Sequence, residues 1–270
     1  MKDVNENKAM EIGLSSASFY PDINTEESIR LMKSLGFDMG EIFLNSPSEY
    51  EESFIQQLNE EKYKNQFTIN SLHSFSSAFE PYLFDVYKRR REDMFVYFKN
   101  VCRGAKILGA KCYTFHGMRL DNINTINKDL VIDTYNKLCY TALEEGIKLA
   151  QENVSWCMSS NLDFLKLLSE KCKYPIYFTF DIKQAYKSGE KVEDYLNIMG
   201  KSLVNFHIND MDDNNNCSIP GKGKIDYKKI YDKLCEIGYT GAGIIEIYRN
   251  NYEKYTEIVE GRKNLRKIFI

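Results

Sequence analysis

IYFTFDIKQAYKSGEKVEDYLNIMGKSLVNFHIND, residues 176–210, is the stretch of sequence that decides the fold. It opens with a short apolar run, Ile176 to Asp181, that ends in a carboxylate, and a helical segment follows. A second apolar run, Leu203 to Ile208, carries a histidine near its end. Short apolar runs of this composition are typical of buried strands. A strand, a helical segment and a second strand with short connections predict two parallel strands joined by a helical crossover.

The same alternation extends in both directions along the chain. Eight strands are predicted: Ile12 to Ala17, Met39 to Leu44, Ile69 to Phe75, Cys112 to His116, Lys148 to Glu152, Ile176 to Asp181, Leu203 to Ile208, and Gly243 to Ile247. Helical segments lie between them, and three are predicted to start at capping residues: Asn24, Ser48 and Asn161. Three are predicted to end at a glycine: Gly36, Gly109 and Gly238.

Eight strand and helix units are the number that closes a (β/α)8 barrel. We therefore predict one barrel domain over residues 1–270, because no Pro/Gly/Ser-rich linker interrupts the pattern. An open, doubly wound sheet is the structural alternative. That alternative lacks support, because no GxGxxG motif follows the first strand.

Composition argues against several partners and sites. The formal net charge of −3 gives no global electrostatic reason to bind nucleic acid. The N-terminal residues MKDVNENKAMEIG lack an apolar signal region, and no apolar stretch approaches the roughly 20 residues of a membrane span, so we expect a soluble, cytoplasmic protein. Seven cysteines without a CxxC pair predict reduced, mostly buried thiols.

Ionisable residues stand at six of the predicted strand ends. They are three histidines and three carboxylates: His73, His116, His207, Glu152, Asp181 and Glu246. In a barrel, these ends converge around one opening. Taken singly, each residue has a structural explanation, as a hydrogen-bonded histidine, a helix cap or an ion-pair partner. Taken together, neighbouring carboxylates repel one another unless a cation or a proton lies between them, and we favour the cation.

Fragments spread over most of the chain resemble a known family. They are LGFDMGEIFL, SLHSF, AKILGAKCYTFHG, EEGIKLAQEN, FDIKQAYKSG, NFHIND, PGKGKIDYKKI and GYTGAGIIEIY, in this order. In order and spacing they resemble the sugar phosphate isomerase/epimerase superfamily of xylose-isomerase-like TIM barrels. That superfamily includes ketose 3-epimerases, inosose-processing enzymes and endonuclease IV.

The resemblance implies a divalent metal ion held by four residues: Glu152, Asp181, His207 and Glu246. Three carboxylates and one imidazole independently favour a hard ion, Mn²⁺ or Mg²⁺, with Co²⁺ and Zn²⁺ as alternatives. The resemblance further implies that Glu152 and Glu246 move a proton next to a sugar carbonyl. Asp181 and His207 would then anchor the ion. The expected partner is a small sugar or polyol, and a homo-oligomer remains open.

Two interpretations remain for His73 and His116. In the epimerases such positions line the substrate pocket, whereas in the endonuclease relatives they bind further metal. We prefer the pocket, because the endonuclease pattern needs a histidine where this chain has Gln184 and another after strand seven, where it has none. An endonuclease-like phosphodiesterase is therefore poorly supported. A cyclic-polyol (inosose) dehydratase and a non-catalytic binding barrel stay open.

Four more residues are candidates for substrate contact. Gln184 is one, and Trp156, the sole tryptophan, is predicted either to face a sugar or to pack the barrel rim. Glu41 ends strand two, where it could bond a hydroxyl, orient a neighbour, cap a helix or form a salt bridge. Lys222, between two glycines, could meet a phosphate or substrate oxygen or remain solvated. Whether the substrate carries a phosphate is left open.

Overall fold

Eight parallel strands form a closed barrel in which each strand pairs with the next along the chain and the last pairs with the first. The computed structural model describes residues 9–212 and 217–270. The strands are β1 (Ile12–Ser15), β2 (Met39–Leu44), β3 (Thr68–Ser74), β4 (Cys112–Phe115), β5 (Lys148–Glu152), β6 (Tyr177–Asp181), β7 (Leu203–Ile208) and β8 (Gly243–Ile245). The predicted (β/α)8 fold is confirmed.

Helices follow the strands around the outside of the barrel. Within the described residues they are α1 (Thr25–Ser34), α2 (Glu52–Lys64), α3 (Lys88–Leu108), α4 (Lys128–Glu144), α5 (Leu162–Lys171), α6 (Ile182–Ser188), α7 (Val192–Met199), α8 (Tyr227–Glu236) and α9 (Tyr255–Leu265). Short 3-10 helices lie in several of the connections. None of the helices in this part of the chain is long and apolar enough to cross a bilayer.

The predicted strand bounds agree with the structure to within two residues. The bounds of β2, β5 and β7 are those predicted, those of β4 and β6 differ by one residue at one end, and β3 is shifted by one residue at both ends. The strands β1 and β8 each end two residues before the predicted end. After β1 the chain turns at once into a 3-10 helix, Ser16–Phe19. After β8, the Glu246 amide still donates to the carbonyl of Ile208, at 3.0 Å, before the chain leaves the ladder.

The predicted helix boundaries were right in most cases. Asn161 caps α5 through a hydrogen bond from the Phe164 amide, whereas Asn24 occupies the cap position of α1 without a side-chain bond. The predicted start at Ser48 was wrong: that residue lies in a 3-10 helix, and α2 begins only at Glu52. The three predicted terminal glycines all have positive φ, from +70° to +80°.

Buried polar side chains fill part of the barrel interior. The carboxylate of Glu41 accepts hydrogen bonds from Ser71 Oγ at 2.7 Å, Asn205 Nδ2 at 3.0 Å and Thr114 Oγ1 at 3.1 Å. These four residues come from β2, β3, β7 and β4. Their apolar neighbours along the strands, such as Ile42, are buried in the main hydrophobic core. The strands are therefore covered on both faces, as expected for a parallel sheet.

Candidate active site

The carboxyl ends of β5 to β8 bring four predicted metal ligands together. Glu152, Asp181 and His207 lie on strands, and Glu246 directly follows β8. Asp181 and His207 pair in register across neighbouring strands. All four residues are buried, and each offers one ligand atom within 4.8 Å of the others. The strand-end pattern therefore produces one cluster of side chains that is able to hold a metal ion.

His207 lies at the centre of the cluster. Its Nδ1 atom is 3.4 Å from Glu152 Oε1, 3.6 Å from Glu246 Oε2 and 3.7 Å from Asp181 Oδ2. These distances exceed normal hydrogen-bond lengths, and this buried nitrogen has no hydrogen-bond partner. A nitrogen facing three carboxylate oxygens without a partner is the arrangement expected of an unsatisfied metal ligand.

The hydrogen bond made by the other ring nitrogen determines which nitrogen of His207 is free. His207 Nε2 lies 3.0 Å from Glu41 Oε2, so its proton is best placed on Nε2. A carboxylate behind a ligating histidine orients the ring and makes the free nitrogen a better ligand. Burial favours the neutral acid, but His207, and after it His73 and Ser71, lower the pKa of Glu41 to about 2. Glu41 therefore stays ionised as the hydrogen-bond acceptor of His207.

A second group adjoins the first through Glu152. His116 Nε2 lies 2.8 Å and His73 Nε2 3.7 Å from Glu152 Oε2, so three ligand atoms again lie within 4.8 Å of one another. Burial favours the protonated carboxyl, yet His116 and the other imidazoles lower the pKa of Glu152 well below its ordinary value. His73 and His116 also line the adjacent cavity. Both interpretations of these histidines, substrate contact and metal ligation, remain consistent with this placement.

A buried lysine that the sequence interpretation missed completes the charge pattern. The ammonium of Lys183 bonds to Asp181 Oδ2 and lies 2.5 Å from Glu246 Oε2. Burial opposes the charged form, but Asp181 and Glu246 raise the pKa of Lys183 well above its ordinary value. In sequence, the one signal was its position two residues after the strand-end Asp181, where α6 begins without an intervening loop.

A cavity of about 280 Å³ opens above these groups. Five of its lining residues are aromatic: Tyr20, Phe43, Phe75, Trp156 and Tyr248. Gln184 also lines it, and its Oε1 atom is held by the amide and the hydroxyl of Ser155. Trp156 and Gln184 therefore both lie at the wall of the pocket. Apolar walls with a few fixed polar groups are typical of small-molecule sites.

Two predicted substrate contacts lie outside this cavity. Glu41 is the third residue of β2 and does not end it, and it is fully buried beneath His207, so it orients that neighbour and does not reach a substrate hydroxyl. Lys222 is on an exposed loop, where its ammonium lies 2.5 Å from Glu257 Oε2. Its flanking glycines serve a different purpose: their amides donate to the carboxylate of Asp210, which holds the loop against the chain after β7.

Comparison with protein families agrees with this fold. The family described as xylose isomerase-like TIM barrel matches residues 29–268. The chain belongs to this family. A comparison with curated protein sequences gave no significant match.

Solved structures with the same barrel include several sugar epimerases. A D-tagatose 3-epimerase-like protein is 20% identical, with a TM-score of 0.80 over 96% of this chain and 97% of that one. The 3-keto-D-glucoside 4-epimerase YcjR from E. coli is 17% identical, with a TM-score of 0.78 over 96% and 99%. The IolI protein, whose structure contains a zinc atom, is 17% identical, with a TM-score of 0.77 over 97% and 99%. At these identities, the likeness establishes the fold.

Proposed function

We propose that this xylose isomerase-like barrel is a divalent-metal-dependent sugar isomerase or epimerase that moves the proton next to a carbonyl group. The observation that carries the proposal is the convergence of two carboxylates, Glu152 and Glu246, with Asp181 and His207 at the base of an aromatic cavity. Oxygen-rich donors with one imidazole suit Mn²⁺ or Mg²⁺, while Co²⁺ and Zn²⁺ are alternatives. The IolI structure, which has the same fold, contains a zinc atom, and this supports a metal-binding role for the barrel.

The ion would supply electrophilic polarisation of the substrate carbonyl, which acidifies the neighbouring C–H bond. Glu152 is suited to accept that proton, because it lines the cavity and belongs to both groups of candidate metal ligands. Glu246 is the second carboxylate that lines the cavity, and it would return a proton to the substrate carbon. When the proton leaves from one face and returns to the other, the configuration inverts. Asp181 and His207 would anchor the ion, and Glu41 would keep His207 oriented.

The cavity favours a small, unphosphorylated sugar. Trp156 and Phe43 offer flat apolar surfaces to the C–H faces of a sugar, and Gln184 offers a fixed amide to a hydroxyl. Among the described lining residues, the single lysine or arginine is Lys183, whose ammonium bonds to two carboxylates. Lys222, for which a phosphate contact was one alternative, is paired with Glu257 on the surface. A phosphate group would therefore find at most this one lysine, and no arginine, among these lining residues.

The test measures proton exchange directly, so the product need not be known. Metal-loaded protein is incubated in D₂O with a panel of ketoses, inososes and their phosphorylated counterparts, and deuterium next to the carbonyl is detected by NMR. We expect exchange with at least one unphosphorylated sugar. Glu152→Gln and Glu246→Gln should each slow exchange, because the first amide cannot accept the proton and the second cannot return a solvent deuteron. The matched control is Glu257→Gln, which removes a carboxylate outside the cavity and should exchange like the parent protein.

Two results would contradict the proposal. Exchange at the parent rate in both glutamine variants would exclude Glu152 and Glu246 as the acid and base. Absence of exchange across the whole panel, with the metal bound, would exclude an isomerase or epimerase acting on those sugars. Incision of abasic DNA that is lost in Glu152→Ala would instead support the endonuclease-like alternative.

A further inference from the structure

Lys183 occupies an unusual place for a lysine. It is the second residue of α6, and its side chain is only 2% exposed. Its ammonium bonds to Oδ2 of Asp181 and to Oε2 of Glu246. These are the same two oxygens that face the unpartnered Nδ1 of His207, at 3.7 Å and 3.6 Å. The lysine therefore holds the carboxylate atoms that a metal ion at His207 would need.

The hydrogen bonds of Asp181 leave only one of its two carboxylate oxygens for a cation. Its Oδ1 atom accepts from the Gln184 amide at 3.1 Å and from Asn209 Nδ2 at 3.2 Å, as the cap of α6. Oδ2 is thus the atom that remains for a cation, and Lys183 already bonds to it. An ammonium and a divalent ion on the same two oxygens would repel each other strongly at such short range. The two cations are therefore alternatives on Asp181 and Glu246.

We propose that Lys183 is an internal counter-cation that competes with the divalent ion and moves into the cavity when the ion binds. This inference rests on the metal site of the proposed function. The cavity can receive the ammonium, because Lys183 is itself one of its lining residues. Tyr248 lies on the same side, with its ring centroid 5.7 Å from Lys183 Nζ, and its aromatic face can stabilise the displaced cation. There, the ammonium would be placed to donate to a substrate oxygen.

The first experiment compares metal affinity by calorimetry, with Mn²⁺ titrated into metal-stripped protein. Lys183→Met removes the ammonium but keeps an unbranched side chain of similar length. We expect this variant to bind Mn²⁺ roughly tenfold or more tightly than the parent, because a site open in only about a tenth of the molecules loses that factor in apparent affinity. The matched control is Lys187→Met, one turn further along α6, where the exposed ammonium contacts the Tyr248 hydroxyl at 3.3 Å. It should bind like the parent.

The second experiment uses the parent protein alone, so it does not depend on the folding of a variant. An amine-acetylating reagent is applied with and without Mn²⁺, and modification is measured by mass spectrometry on a peptide that carries both Lys183 and Lys187. Metal should raise the modification of the buried Lys183 and leave that of the exposed Lys187 unchanged. Unchanged or reduced modification of Lys183 with Mn²⁺ bound would overturn the displacement.

The outcomes separate this inference from the proposed function. Equal or weaker Mn²⁺ binding in Lys183→Met, with sugar exchange intact in the parent, would overturn the competition alone. Tighter binding in the variant without exchange of any sugar would support the competition and count against the function. Failure of both parent and variant to bind Mn²⁺ would overturn the metal site and the competition together.

Discussion

Glu80 offers the sharpest test of how the loop after β4 is held. It is fully buried, and its Oε2 atom accepts from the backbone amides of His116 at 2.7 Å and Gly117 at 2.8 Å. Oε1 accepts from the Tyr113 hydroxyl at 2.5 Å and from Ser74 Oγ at 3.1 Å. One carboxylate from the connection between β3 and α3 thus fixes the backbone that carries His116 into the candidate site.

Glu80→Ala should therefore destabilise the protein strongly. The two hydroxyls can still pair with each other, since Ser74 Oγ and Tyr113 Oη are 2.7 Å apart. The two backbone amides lose their acceptor, and each buried, unpaired donor costs about 1–3 kcal/mol. We expect a loss of about 2–6 kcal/mol in the free energy of unfolding. Glu80→Gln keeps a carbonyl oxygen for the amides and turns its NH₂ group toward the hydroxyl oxygens, so about 1–2 kcal/mol should be lost.

Urea unfolding followed by circular dichroism measures both values. The expected result is that alanine costs clearly more than glutamine at the same position. Equal losses in the two variants would refute the reasoning, because they would mean that the orphaned backbone amides carry no penalty. Trp156 fluorescence gives a second readout, since this sole tryptophan lies beside His116, with ring centroids 5.5 Å apart.

Four further predictions follow from individual contacts. Glu41→Gln should weaken Mn²⁺ binding roughly 10- to 100-fold by calorimetry, because it removes the carboxylate that orients His207. Gly40→Ala should cost about 1–3 kcal/mol in urea unfolding, since its Cβ would lie 2.3 Å from a carbonyl oxygen of β1. Trp156→Ala should raise the KM of an exchanging sugar roughly two- to tenfold through lost aromatic contact. Lys222→Met should leave that KM unchanged, and a rise would return this lysine to the substrate site.

The fold could be predicted because barrel strands have a strong local signal. A parallel strand covered on both faces is a short apolar run, and eight such runs separated by helical segments admit few topologies. Boundaries were predictable where the hydrophobic run itself ends, as for β2. Boundaries were harder to predict where a polar residue outside the hydrophobic run determines the turn. The start of α2 moved from Ser48 to Glu52, and Glu49, which accepts from the Asn45 amide at 2.7 Å, braces the intervening 3-10 helix.

The site could be predicted where its residues end strands, because barrel geometry then places their side chains. Glu80 could not be found this way, since it lies in a long connection and reaches its partners only through tertiary structure. Nor could the direction of Glu41 be predicted. Alternation along β2 places it inside the barrel, but whether it faces the cavity or the layer beneath His207 depends on its depth, which register determines.

Lys222 and Lys183 show why sequence patterns alone misjudge whether a lysine is exposed or buried. Lys222 lies on a loop between glycines, which suggested an adaptable contact, yet its loop is fixed by Asp210 and its ammonium pairs with Glu257. Lys183 was overlooked because a lysine in a helix is normally solvated. Here, α6 starts at the very end of β6, so the second helical residue still lies at the mouth of the barrel. Buried carboxylates on both sides then offset the cost of removing its charge from water. A lysine just after a strand-end aspartate in such a barrel should therefore be weighed as part of the site's charge balance.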